Sequence, residues 1–211
     1  MTMTLAESIM KRASELPEGT PVVAREFLHL GSRAAIDQAL SRLTRRNRLL
    51  RVERGVYVRP VETRFGVRPP SVSKAVEALA FLKGEKLAPH GAASANALGL
   101  TTQIPVRTVY LTSGRSRRLR LGAQELELRH VPSWQLALAH RPAGQVIRAL
   151  AWLGPEEGPT RLPSLGRALS PSDLQELASM RGQIPSWMAD QVSVFLHGGE
   201  RLTKIKVSGG L

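Results

Sequence analysis

The chain has 211 residues, 42% of them hydrophobic, with a formal net charge of +13 and no cysteine. That length supports one large domain or two small ones around a real core, and the missing thiols exclude disulfides, Cys-ligated zinc and thiol catalysis. The charge is uneven: residues 1–70 hold 13 Lys/Arg against 7 Asp/Glu, residues 71–150 hold 11 against 4, and residues 151–211 hold 6 of each.

Thr4 and Glu7 stand at capping-box spacing and open an amphipathic helix over about residues 4–16, ended by Pro17 and Gly19. Thr20-Pro21 predict a second, shorter helix through about His29. Gly31 makes the turn, Ser32 is the expected N-cap, and a third helix runs to about Arg46. Its apolar positions Ile36, Ala39, Leu40 and Leu43 fall at i, i+3, i+4 and i+7, so that side faces a core. Ala34, Gln38, Ser41 and Arg45 lie opposite, flanked by Asp37 and Arg42. Leu49–Val52 and Val56–Val58 predict paired strands around Glu53-Arg54-Gly55. Helix, helix, turn, helix and two-stranded wing is the order of a winged helix-turn-helix.

Pro60 to Pro70 is expected to be an extended connector. An alanine-rich helix follows over Ser71–Lys83, ended by Gly84, and a small-residue helix over about His90–Leu98, ended by Gly99. Val106–Leu111 is strand-like. Arg117–Leu121 and Glu125–Arg129 alternate, with Leu119, Leu121, Leu126 and Leu128 on one face and Arg118 and Arg120 set for cross-strand pairing with Glu125 and Glu127. A helix over about Pro142–Leu153 ends at Gly154-Pro155, and residues 154–170 are expected to be loop. Ser170-Pro171-Ser172-Asp173 opens a helix ending at Gly182. Pro185 opens the last helix, carrying Trp187, Met188, Val192 and Phe195 and closing at Gly198-Gly199, before a short basic tail. The fold class expected is α+β: a winged helix-turn-helix domain over 1–68, then a mixed helix and β-hairpin domain over 69–211.

The chemistry concentrates near the third helix. Docking of a helix-turn-helix sets the second helix of the pair in the major groove, its N-terminal residues nearest the base edges. That places Arg33, Ala34, Gln38, Ser41 and Arg42 at the groove, with Arg45 and Arg46 further along; Gln38 suits adenine and arginine suits guanine. Arg48, Arg51 and Arg54 are assigned to phosphates, with Arg54 at the wing tip able to enter the minor groove. The alternative is a winged helix used for protein contacts, its arginines merely solvated. Residues 32–68 hold 10 arginines and 3 acids, an imbalance that protein contacts do not require. Arg115, Arg117, Arg118 and Arg120 form a second basic cluster. It is either a further phosphate strip or an edge hairpin balanced by Glu125 and Glu127. Both stay open.

Catalytic and cofactor signals are weak. His29, His90, His130, His140 and His197 lack metal-ligand spacing, so no metal is expected. His90 with Ser94 lacks an orienting acid, and Ser94 is expected to pack inside a small-residue helix. No phosphate-binding glycine loop is present. Trp134, Trp152 and Trp187 sit among apolar residues and are expected in the core. No enzyme activity and no cofactor is expected. The opening residues have no apolar h-region, and no run is long enough to span a membrane, so a cytoplasmic protein is expected.

GSRAAIDQA with LSRLTRRNRLLRVERGVYVRP resembles the N-terminal domain of AbiEi-family antitoxins, partners of nucleotidyltransferase toxins in type IV toxin–antitoxin pairs. ASANALGLTTQIPVRTVYLTSGRSRRLRLGAQELELRH and RPAGQVIRALAWLGPE resemble the remainder of one branch of that family, so the likeness covers about residues 5–155. The resemblance implies a transcriptional autorepressor that binds repeats in its own promoter as monomer or dimer. It further implies that residues 69–211 counter the toxin without a stable complex. Ser32, Arg33, Gln38, Ser41, Arg42 and Arg45 would face the groove, with Arg51, Arg54 and Tyr57 in the wing. Other readings are a stand-alone winged-helix regulator with a ligand-sensing or oligomerisation domain, and an RNA-binding protein.

Overall fold

A computed structural model describes residues 3–103 and 107–207, with side chains outside 166–167 and 198–207. The protein is α+β, and its packing divides it into two compact units. One comprises Met1–Lys86 with Ser116–Leu128, the other Leu87–Arg115 with Arg129–Leu211. The boundary thus lies beyond the residue 68 read from sequence, and one hairpin of the later chain joins the first unit.

In the first unit, α1 (Leu5–Glu15) starts at the expected capping box: Thr4 Oγ1 accepts from the Glu7 amide while the Glu7 carboxylate accepts from the Thr4 amide at 2.8 Å. A helix through His29 does not form. Val22–Val23 is instead a strand, β1, followed by a single 3-10 turn over Ala24–Phe27. Two adjacent β-branched residues favour the extended state, and both are buried. Then comes α2 (Arg33–Arg45), capped by Ser32, whose Oγ accepts from the Ala35 amide. Its end is a Schellman motif: Asn47 takes φ +55°, the Asn47 amide donates to Thr44 O and the Arg48 amide to Leu43 O. That reversal feeds the chain into β2 (Leu50–Glu53) and β3 (Val56–Val58), joined at Arg54-Gly55 with Gly55 at φ +75°. β1 pairs antiparallel with β3, giving the order β1-β3-β2. Ile9, Phe27, Ile36, Leu40 and Leu49 form the core beneath α2.

Pro60–Pro70 is not a bare connector. It contains a hairpin, β4 (Val61–Thr63) with β5 (Gly66–Arg68), because the prolines flank the strands and leave the pairing amides intact. Helix α3 (Val72–Lys83) stays with the first unit through Glu18. Glu18 accepts from the Ser71 amide at 2.9 Å, from Lys74 at 2.8 Å and from Arg68 at 3.0 Å. These three donors lower its pKa to about 2, Lys74 contributing most. Gly19 lies so close to α3 that a Cβ there would stand 2.8 Å from the Ala75 amide nitrogen. The hairpin β8 (Arg117–Leu121) and β9 (Gln124–His130) buries Leu119, Leu121, Leu126 and Leu128, the shared face read from sequence.

In the second unit, β6 (Leu87–Pro89), absent from the sequence reading, pairs with β7 (Thr108–Thr112). The strand expected from Val106 thus begins at Thr108; Val106 itself lies outside the described residues. Helix α4 (Gly91–Ala97) is capped by His90, which accepts from the Ala92 amide. Ser94 is buried, as its helix pattern implied. A short α5 (Ser133–Leu136) precedes α6, which runs over Pro142–Arg161. The expected stop at Gly154 is a kink (φ +80°), after which Pro155 restarts the helix, so much of the expected loop is helical. A 3-10 segment, Leu162–Arg167, leads to α7 (Pro171–Ser179), with the Ser170–Asp173 capping box formed. Helix α8 (Ser186–Val207) runs through Gly198-Gly199 rather than closing there, and includes most of the expected tail. Its Met188 and Val192 are buried, with Trp134, Trp187 and Phe195 packed alongside. Trp152 departs from expectation: it is 37% exposed.

Candidate nucleic-acid interface

The candidate interface is built on α2. Burial of Ile36, Ala39, Leu40 and Leu43 fixes the helix's rotation about its axis and turns the opposite side to solvent. Ala34, Gln38, Arg42 and Arg45 are exposed there, and Ser41 is half-buried. The side chains of Gln38 and Arg42 have no hydrogen-bond or ion-pair partner among the described residues. Arg45 donates to Ser41 Oγ at 3.3 Å. Arg33 is more committed, its Nε lying 3.0 Å from Asp37 one turn on. An exposed pair of that kind is worth only ~0.2–1 kcal/mol and yields readily to another anion. Ser32 spends its hydroxyl on the cap, which makes it a helix-setting residue first.

The two ends of α2 meet different surroundings. At its N-terminal end, a Cβ on Gly55 would come within 3.9 Å of the Arg33 guanidinium, so the β2–β3 turn lies beside the start of the helix. Arg25, Arg33, Arg54 and Lys83 line a groove of about 620 Å³ there, with Glu85 its one acid. Arg46 and Arg48 are exposed just beyond the C-terminal end, and Arg51 on β2 is exposed with Nε 3.4 Å from Glu53 O. Arg54 at the hairpin tip is exposed and unpaired among the described residues.

One expectation is corrected, and one pair of open alternatives gains detail. Tyr57, placed in the wing by family resemblance, is only 7% exposed and belongs to the core, because the central strand β3 has both neighbours in place. The second basic cluster is not one surface. Arg117 turns inward, its side chain 18% exposed, with guanidinium nitrogens 3.5 Å from Glu53 and 2.8 Å from Glu85. Lys83 also pairs with Glu53. These four residues tie the β2–β3 hairpin to α3 and β8 and commit the Arg117 guanidinium to carboxylates within the protein. Arg118 stands opposite Glu127 and Arg120 opposite Glu125 in the β8–β9 register, as the alternation required. Arg120 donates to Gly122 O, and Arg115 belongs to the other unit. Arg118 and Arg120 are both exposed, and the register sets their backbone positions opposite the two glutamates.

Sequence reasoning missed Arg25, Lys83 and the β4–β5 hairpin near α2. The β-alternation of Val61 and Thr63 before Phe65-Gly66 was the available signal for the hairpin. Arg25 and Lys83 reach the groove only through tertiary packing. Among the described residues, no group of three His, Asp or Glu side chains is placed to hold a metal ion. No helix among them is long and apolar enough to cross a membrane.

The geometry defines an α+β protein with an uncommitted amide and guanidinium face on one helix, flanked by a basic hairpin. The chain belongs to a family of unknown function, DUF6088, whose pattern matches residues 8–160, from α1 into the second half of α6. No curated protein matches it.

Proposed function

We propose that the chain is a DNA-binding transcriptional autorepressor and antitoxin, acting on repeats in its own promoter and countering a nucleotidyltransferase-type toxin. Its first unit is read as a winged helix. The order α1, β1, 3-10 turn, α2 and the β2–β3 hairpin supports this, with β1 completing a three-stranded sheet in the order β1-β3-β2. Helix α2 is then the recognition helix and the β2–β3 turn the wing. The carrying observation is the exposed face of α2, where the side chains of Gln38 and Arg42 have no partner among the described residues. Such groups retain their full capacity for adenine and guanine edges. Arg46, Arg48, Arg51 and Arg54 supply phosphate contacts, which fix register without reading sequence. The antitoxin role rests on the resemblance of residues 5–155 to AbiEi-family antitoxins, and cytoplasmic location follows from a DNA target.

Footprinting on the DNA upstream of the protein's own reading frame tests this. Protection of repeated half-sites, with a nucleotidyltransferase encoded next door that the protein restrains, is the expected result. Uniform, sequence-independent protection refutes the repressor reading, and the absence of such a neighbour refutes the antitoxin reading.

A further inference from the structure

We propose that the β4–β5 hairpin is a second wing, whose Arg64-Phe65 tip inserts an aromatic wedge into the minor groove of duplex DNA. The inference rests on the DNA-binding reading of α2. Phe65 is 86% exposed and Val67 65% exposed, an apolar surface that the hairpin holds out into water. The Arg64 guanidinium sits 4.6 Å from the Phe65 ring centroid, so a cation travels with the ring. The tip is shaped rather than slack: Thr63 Oγ1 donates to Gly66 O at 2.8 Å and accepts from the Phe65 amide at 3.2 Å. Gly66 takes φ +110°, a conformation open to glycine.

Placement favours nucleic acid. Glu62 and Val67 of this hairpin share a groove of about 350 Å³ with Lys11, Arg48 and Arg59, beside the C-terminal end of α2. The β2–β3 turn stands at the opposite end of the same helix, next to Arg33. Two hairpins therefore flank the helix. Three cations and an arginine-capped ring against the single acid Glu62 suit a polyanion better than a mixed protein surface. An apolar side chain at such a tip does in DNA what a polar one cannot: it partly unstacks a base step and bends the duplex. Arg64 can then meet phosphate or the narrowed groove.

The test uses the full chain and the duplex that its footprint defines, with 2-aminopurine placed at successive steps and bending read by circular permutation. Phe65→Ala is expected to weaken binding about tenfold, reduce the bend and abolish the 2-aminopurine signal, since wedge and stacking contributions are of that order. Phe65→Leu, which keeps an apolar wedge, is expected to restore most of the bend. Thermal melting should not change, because the side chain makes little contact with the fold. Unaltered affinity, bend and fluorescence in Phe65→Ala, with Gln38→Ala still impaired, overturn the second wing alone and leave the tip to a protein partner. If the wild-type chain binds no duplex, the wedge and the DNA-binding reading fall together.

Discussion

Salt dependence converts the arginine geometry into a number. On and beside α2, Arg42, Arg45, Arg46, Arg48, Arg51 and Arg54 are exposed and paired with no acid among the described residues. Arg33 is held by Asp37, and Arg117 by Glu53 and Glu85. If those six arginines each neutralise one phosphate, log K against log salt has a slope of about −5, or about a thousandfold loss between 50 and 200 mM salt. Removing one by Arg54→Ala should flatten the slope by about 1. Arg117→Ala should leave the slope alone, since its charge is spent inside the protein. Fluorescence anisotropy of a labelled duplex across a salt series measures all three. A wild-type slope shallower than about −2, or equal flattening in Arg117→Ala and Arg54→Ala, refutes the assignment of charges to the interface.

Two further predictions concern the scaffold that presents this face. Leu40 is fully buried beneath α2, so Leu40→Ala should cost about 2–5 kcal/mol in urea unfolding; a loss below about 1 kcal/mol would show that α2 is not seated on that core. Glu18 has its pKa lowered from 4.5 to about 2 by Lys74, the Ser71 amide and Arg68. A carboxylate depressed on folding stabilises fully above the unfolded value and loses that contribution as pH falls from about 4.5 toward 2. Glu18→Gln should therefore lower stability at neutral pH and blunt its acid dependence in that window. Identical acid titrations for the variant and the wild type would contradict the clamp.

The parts of the fold legible in the sequence are those set by local chemistry. Thr4–Glu7 and Ser170–Asp173 form the capping boxes that their spacing specifies, and the 3.6-residue rhythm of Ile36 to Leu43 fixes the outward face of α2. The alternation in Arg117–Leu121 gives the register with Glu125 and Glu127. What escaped was set by partners distant in sequence or by context that overrides punctuation. Val22–Val23 becomes a strand because β3 offers an edge, which no local residue announces. Pro60 and Pro69 read as a connector, although they only frame the β4–β5 hairpin. Gly154-Pro155 reads as a stop because a glycine kink followed by a proline restart is indistinguishable from a terminus in one dimension. Arg117 looks like Arg118 in sequence, and only Glu53 and Glu85 separate their fates.

The most direct measurement is competition binding of the Gln38→Ala protein, between the footprinted site and random duplex at fixed salt. Loss of the amide should reduce the preference for the site by about 1–3 kcal/mol, roughly 5- to 150-fold, while leaving random-duplex affinity in place. An undiminished preference would contradict the account, because the outward face of α2 would then not be reading the bases.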